Sequence, residues 1–257
     1  LGLYANVRPV ITYDSLLDSS PLKKEIVSGT NFVVFRELTG GIYFGEKSIS
    51  EDRKSAYDTC SYNINEIERI SHLAFKEARK RKKELTLVDK ANVLETSRLW
   101  REVVQKISKD YPDINVSYLF VDNAAMKIIT NPKDFDVILT ENMFGDIITD
   151  EASVITGSLG MLPSASIGDK ISLFEPIHGS YPQAVGKGIA NPMAMILSLA
   201  MMLDLSFNLK KESEIILKSV EDALNENFVT IDIDGKNYYS TSEVGDWLSK
   251  RVSEYLG

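Results

Sequence analysis

A single cysteine, Cys60, stands among 257 residues. One thiol excludes an intramolecular disulfide and a cysteine-based zinc site, and it is compatible with a reducing compartment. Long apolar runs are missing too. The longest, residues 192–203, is interrupted by Ser198 and falls short of the roughly 20 residues that a bilayer crossing needs, so it reads as a buried helix. Positive charge is in deficit, with 29 Lys and Arg against 37 Asp and Glu and a formal net charge of -8. That balance argues against nucleic acid or an anionic membrane as the main partner. The one basic run, Arg79 to Lys83, closes a segment whose Ile67, Ile70, Ala74 and Ala78 form an apolar stripe, and cations are favoured at a helix C-terminus. No repeat or low-complexity tract occurs. No Gly-x-Gly-x-x-Gly follows a strand, so the usual dinucleotide fingerprint is absent.

What remains is the composition of a soluble globular chain, 44% hydrophobic and 26% charged, long enough for one large domain or two small ones. Residues 1–7, 31–36, 85–89, 116–121 and 135–140 read as strands, the first of them rather than a signal peptide. Residues 65–83, 96–110, 124–130 and 212–226 read as helices, as does a closing segment from Ser242 capped by that serine. Asn191 reads as the N-cap of the apolar helix and Pro192 as its first residue. Residues 39–45 form a glycine-punctuated turn, and Asp234-Gly235 a second turn. The alternation predicts an α/β protein.

Polar residues recur where these strands end: Lys90, Asp122, and the pair Asp146 and Asp150. In open α/β sheets, ligands bind at the carboxyl ends of strands. Asp146 and Asp150 are four apart where a strand passes into a helix, so they share a helical face. Two like charges there call for a positive partner, and a hard divalent cation is the obvious one.

The series Tyr4-Ala5-Asn6-Val7-Arg8-Pro9, Arg36-Glu37-Leu38-Thr39-Gly40-Gly41-Ile42-Tyr43-Phe44-Gly45, Asp89-Lys90-Ala91-Asn92-Val93-Leu94 and Val121-Asp122-Asn123-Ala124 resembles, in order, the motifs of the isocitrate/isopropylmalate dehydrogenase family. Residues 142–150, 175–180 and 186–192 complete it, and the isopropylmalate-acting branch is the most similar. The resemblance spans essentially the whole chain. It implies a two-domain α/β fold with parallel or mixed sheets and a cytoplasmic homodimer with shared active sites. The implied reaction is NAD-dependent, Mg2+- or Mn2+-requiring oxidative decarboxylation of 3-isopropylmalate to 4-methyl-2-oxopentanoate (2-oxoisocaproate), as in leucine biosynthesis.

The same resemblance implies roles. Arg8 and Arg36 would grip substrate carboxylates, for which a guanidinium offers a bidentate fork. Asp146 and Asp150 would hold the metal together with Asp122 of the neighbouring subunit, and Asp122 would also face the substrate. Lys90, also from the neighbour, would take the hydroxyl proton, and Tyr43 would protonate the enol carbon. Asn92 would contact the nicotinamide side and Val93 the isopropyl group. The loop from Glu175 to Asn191 would hold the cofactor, with His178, Gly179 and Ser180 near the adenosine and phosphates and Asn191 at the adenine. His72 reads as a helix-surface residue.

Two departures qualify the expectation. Where many relatives have an aspartate that excludes NADP, this chain has Gln183, which can bond a ribose but carries no charge. Relatives also have a segment ahead of the position that Leu1 occupies, containing the first strand and helix and another substrate arginine. Residues 1–13 and 164–257 would then be the remainder of a first, cofactor-binding domain that is incomplete at its N-terminus. Residues 14–163 would form the second domain, for substrate, metal and dimerisation. The competing expectations are a sister enzyme acting on isocitrate, homoisocitrate or tartrate, and an inactive dimer-forming fragment.

Overall fold

The computed structural model describes residues 1–257. Its strands are β1 (Leu3–Ile11), β2 (Asn31–Glu37), β3 (Lys47–Ile49), β4 (Ala56–Asp58), β5 (Glu84–Asp89), β6 (Asn115–Phe120), β7 (Val137–Thr140), β8 (Pro163–Gly168) and β9 (Ser172–Pro176). Its α-helices are α1 (Lys24–Val27), α2 (Ile64–Lys80), α3 (Glu95–Ser108), α4 (Val121–Thr130), α5 (Asn142–Ser153), α6 (Met193–Leu205), α7 (Lys210–Asn225) and α8 (Thr241–Leu256). Two compact units result. The first comprises Leu1–Val7, Asn31–Glu151 and Ser166–Ile171, the second Arg8–Thr30, Ala152–Ala165 and Ser172–Gly257.

In the first unit the strand order is β6-β5-β7-β2-β1. Strands β6, β5, β7 and β2 are mutually parallel, with Asp89 opposite Phe120, Val88 opposite Thr140, and Arg36 opposite Thr140. Leu85, Leu87, Val88 and residues 137–139 are all buried. Near-continuous apolar runs of this kind are what strands of a parallel sheet require. Parallel direction has a functional result: all four strands deliver their carboxyl ends, and the residues that follow, to one rim. Helix α2 buries Ile67, Ile70, Ala74, Phe75 and Ala78, and α3 buries Trp100, Val103, Val104 and Ile107, at the 3–4 residue spacing of an apolar helical face. A capping box starts α2: Asn63 Oδ1 accepts from Glu66 N–H at 3.1 Å and Glu66 Oε2 from Asn63 N–H at 2.9 Å. The helix stops at Lys80 rather than residue 83. Arg81 and Lys83 N–H both turn back to the Ala78 carbonyl and Lys83 takes a positive φ of 65°. The basic run beyond it is neutralised locally, Arg79 by Asp113 and Arg81 by Asp136.

Several expected boundaries move. Helix α4 begins at Val121, so Asp122 lies in its first turn, not at the end of a strand. Phe135 precedes β7 and packs at 5.8 Å from the Phe32 ring. The antiparallel hairpin of β3 and β4 has no counterpart in the sequence pattern, because three-residue strands with every residue exposed carry no alternation to detect.

The second unit carries β9 and residues 163–165 of β8. Its core gathers Met193 and Leu197 of α6, Val220, Ala223 and Leu224 of α7, and Val244 and Leu248 of α8 around Leu16, Met161 and Val229. Leu16 and Met161 draw their segments into this core, so residues 14–30 and 152–163 group here rather than with the first unit, a narrower division than the expected span of 14–163. The cap of α8 is Ser240, with Glu243 completing a capping box, where Ser242 was expected. Helix α6 starts at Met193 after Pro192, although Asn191 Oδ1 still accepts the Met193 N–H at 2.9 Å.

Candidate active site

Strand β2 ends in Arg36 and Glu37, both buried and with opposite duties. Glu37 turns back to accept the Thr39 and Gly40 N–H groups at 2.9 and 2.7 Å and pairs with Arg69, which fixes the start of the glycine turn. Arg36 does not pair with Glu37. Its Nε donates to the Asn142 carbonyl (3.0 Å) and to Asn142 Oδ1 (3.1 Å), its Nη2 to the same Oδ1 (2.9 Å), and its Nη1 to Asp146 Oδ1 (2.5 Å). The positive partner that Asp146 calls for is therefore, within the chain, a guanidinium. Gly145 makes the approach feasible, since a methyl there would meet Arg36 Cγ at 2.5 Å.

The glycine turn brings in the third member. Residues 41–43 form a single 3-10 turn, and Tyr43 OH donates to Asp146 Oδ2 at 2.7 Å. This hydrogen bond, with smaller help from burial, raises the Tyr43 phenol above its ordinary range, so the hydroxyl keeps its proton across neutral pH. Arg36, Tyr43 and Asp146, 110 residues apart at the extremes, thus form one constellation at the carboxyl ends of β2 and β7. Asp150 follows Asp146 by one turn of α5, which puts its carboxylate on the same face.

Lys90 and Asp122 form a second constellation. They follow β5 and β6 on the same rim, and the Lys90 ammonium is hydrogen-bonded to Asp122 Oδ1. That contact holds the Asp122 carboxyl below the usual carboxylate range. Asp122 is well exposed, at 62% of its side chain. The Lys90 backbone is tied down by Ser97, whose Oγ accepts the Lys90 N–H at 3.0 Å and bonds to Glu141. Burial pushes the Glu141 carboxyl up to about 7, with the Ser97 bond opposing and the Asp89 charge adding. Asn92 and Val93 are exposed on the turn after Lys90, where the Val93 and Leu94 N–H groups close on the Lys90 carbonyl. No three His, Cys, Asp or Glu side chains of the one chain are arranged to hold a metal ion. Asp146 and Asp150 do fit one: they are hard oxygen donors a turn apart, with Asp146 39% exposed.

The remaining expected residues lie in the second unit. Glu175 is exposed in β9, and His178, Gly179, Ser180 and Gln183 are exposed on the loop that follows, where residues 182–184 make a 3-10 turn. His178 Nδ1 lies 3.0 Å from the Gly179 carbonyl, and a Cβ on Gly179 would meet nothing within 4 Å, so the loop has open space for a ligand. Asn191 is more constrained, because its Nδ2 donates to Asp232 at 3.1 Å while its Oδ1 holds the Met193 N–H. Arg8 is half-buried in β1. His72 sits on α2 and is partly buried, with Nδ1 3.0 Å from Tyr111 OH.

Sequence reasoning missed Asn142, Glu37, Tyr62, Ser97 and Glu141. Asn142 and Glu37 sit inside motifs already singled out, and their position beside Arg36 and Asp146 was the available signal. Glu141 directly follows the strand read at 135–140 and so carried the same strand-end signal as Lys90, whereas Tyr62 and Ser97 act through tertiary contacts and had none.

Known proteins resemble this chain in sequence and in fold. The sequence profile of isocitrate/isopropylmalate dehydrogenases matches residues 1–248. The 3-isopropylmalate dehydrogenase of Clostridium acetobutylicum is 54% identical over 251 residues, covering 95% of this chain and 70% of that protein. Its counterpart from Aquifex aeolicus is 53% identical over 257 residues, covering 98% and 71%. Among solved structures, isocitrate dehydrogenase from Methylococcus capsulatus superposes with a TM-score of 0.87 at 36% identity, over 97% of this chain and 73% of that one. A β-decarboxylating dehydrogenase from Thermococcus kodakarensis gives 0.84 at 35% identity, over 100% and 71%. With a family profile across nearly its whole length and relatives above half identity, the chain belongs to the isocitrate/isopropylmalate dehydrogenase family.

Proposed function

We propose that this chain carries the machinery for NAD-dependent oxidative decarboxylation of 3-isopropylmalate, with Mg2+ or Mn2+, in a cytoplasmic homodimer. The observation that carries the proposal is the Arg36–Asp146–Tyr43 constellation, in which a substrate-type cation, a metal-type carboxylate and a proton-bearing phenol meet. Relatives at 54% identity that bear the name 3-isopropylmalate dehydrogenase favour that substrate over isocitrate, homoisocitrate or tartrate.

A guanidinium has five N–H groups. The contacts of Arg36 engage Nε, Nη1 and Nη2, and Tyr43 also bonds to its side chain, so a substrate carboxylate would take an N–H that these contacts leave. Arg8 would supply a further cation to the same acid. Asp146 and Asp150, with Asp122 of a second copy, would hold the divalent ion, since each carboxylate oxygen retains lone pairs beyond its present bonds. When bound, NAD takes up the hydride and the ion withdraws electron density from the substrate oxygens. Lys90 of the second copy would accept the hydroxyl proton. Tyr43 would deliver its proton to the carbon that loses carbon dioxide, and Asp146, accepting the Tyr43 hydroxyl at 2.7 Å, would hold that phenol in place. The pairing of Lys90 with the exposed Asp122 supports their acting together as one projecting unit. Exposed Met126 on α4 and Ile147 on α5 support a partner copy against these helices. Val93 would line the pocket for the isopropyl group and Asn92 the nicotinamide side. His178, Gly179, Ser180 and Gln183 would hold the adenosine, and Asn191, already bonded to Asp232 and the Met193 N–H, would join them through its second amide hydrogen or second lone pair.

The test is turnover by the purified chain with Mg2+, comparing 3-isopropylmalate, isocitrate, homoisocitrate and tartrate, each with NAD and NADP. Reduction of NAD with 3-isopropylmalate at the highest kcat/KM is the expected result. A higher kcat/KM for another acid removes the substrate assignment, and NADP equal to or better than NAD removes the cofactor assignment. A folded dimer inactive on all four marks a non-catalytic chain.

A further inference from the structure

Tyr62 lies just ahead of α2, far in sequence from the motifs of the site, yet it touches two of the pieces that build it. Its hydroxyl accepts the Asn142 N–H at 2.9 Å, at the start of the helix that carries Asp146 and Asp150. Its ring lies against the glycine turn so closely that a Cβ on Gly40 would meet Cε1 at 2.5 Å and one on Gly41 would meet the hydroxyl at 2.6 Å. The Gly41 N–H is held by the neighbouring Ser61 carbonyl at 2.9 Å, and the Asn142 side chain reaches the Gly40 carbonyl at 3.3 Å. Behind the ring, the fully buried Trp100 packs edge-on at a centroid distance of 5.4 Å and 84°, which fixes the plane of the phenol.

We propose that Tyr62 is a positioning residue for the reacting groups: it locks the turn that carries Tyr43 to the helix that carries Asp146, so that the Tyr43–Asp146 contact forms without a search. Arg36 and Asn142 are the other side chains that bridge its two ends. Tyr62 also explains why the turn needs two consecutive glycines. Gly41 has a φ of 77°, which glycine alone adopts freely, and neither glycine leaves room for a side chain under the ring. The role of Tyr43 as proton donor rests on the proposed function, while the mechanical role of Tyr62 does not.

Tyr62→Phe keeps the ring and deletes the hydroxyl, leaving the buried Asn142 N–H without its acceptor. Amide exchange at Asn142 is expected to speed up about tenfold, with Gly41 still protected. On 3-isopropylmalate, kcat is expected to fall about tenfold with KM nearly unchanged. Tyr62→Leu removes the ring as well and should release both Gly41 and Asn142. The double variant Tyr62→Phe, Tyr43→Phe separates positioning from general stability: once Tyr43 has lost its hydroxyl, removing that of Tyr62 should cost no further kcat. Additive losses, a rise in KM at constant kcat, or unchanged exchange at Asn142 overturns the proposal. If the parent chain turns over no substrate, the proposed function fails, and the exchange measurements still decide the role of Tyr62.

Discussion

At the scale of single residues, the site depends on which hydrogen bonds a side chain can make, more than on its charge. Arg36 serves Asn142 and Asp146 through three different nitrogens, and a lysine has one. Arg36→Lys keeps the charge but leaves buried acceptors on Asn142 unmet, so it should cost about 1–3 kcal/mol in denaturant unfolding as well as activity. Glu141 offers a pH test. Its carboxyl, ordinarily near 4.5, is held up at about 7 by burial. Between those values the unfolded chain has released the proton and the folded chain retains it, so stability from this group falls as pH rises through the window, by about 3 kcal/mol in all. Glu141→Gln is neutral throughout. Unfolding curves of parent and variant should nearly coincide at pH about 4, diverge in favour of the variant as pH rises from about 4.5 to about 7, and keep a constant gap above that. Parallel pH profiles would show that Glu141 does not carry this linkage.

At the scale of elements, helices α2 and α5 do different kinds of work. Helix α2 is a scaffold whose start is fixed by the Asn63–Glu66 capping box, and Asn63→Ala should lower stability by about 1 kcal/mol with kcat unchanged. Helix α5 presents Asp146 and Asp150, and it accepts a helix-disfavoured glycine at 145 to let Arg36 pass. In an isolated helix Gly145→Ala would gain about 1 kcal/mol. Here the added methyl would meet Arg36 Cγ and Cβ at 2.5 and 2.7 Å, so a net loss of about 1–3 kcal/mol and a weakened grip on substrate are expected, read by unfolding and by KM. The long periodic helices and the apolar strands of the parallel sheet were legible because burial imposes a period on every residue of the element. The β3–β4 hairpin, with every residue exposed, imposed none. The cap at Ser240 was misread as Ser242 because three candidate hydroxyls, Ser240, Thr241 and Ser242, stand in a row, and only the reciprocal bond to Glu243 selects among them.

At the scale of the whole molecule, the proposed function requires a second copy, since Lys90 and Asp122 would complete the partner's site. Met126 and Ile147, exposed at 61% and 58%, are the test positions. The double variant Met126→Lys, Ile147→Lys should sediment as a monomer, keep its helical content and lose turnover, because buried lysines disfavour an apolar interface. A dimer that survives with full activity would put the subunit contact elsewhere.

The sequence by itself determined the α/β class, the chain order of strands and helices in the parallel sheet, and the identities of Arg36, Tyr43, Lys90, Asp122, Asp146 and Asp150 as the residues of interest. Those follow from local periodicity and from long motifs, both of which are written along the chain. Only the tertiary structure decided who meets whom: that Asp146 is met by Arg36 and Tyr43, that Lys90 pairs with Asp122, and that Tyr62, Ser97 and Glu141 stand behind them. Parallel strand pairing is the reason. It brings residues about a hundred positions apart to one rim, and a contact made across a sheet leaves no periodic trace in the sequence.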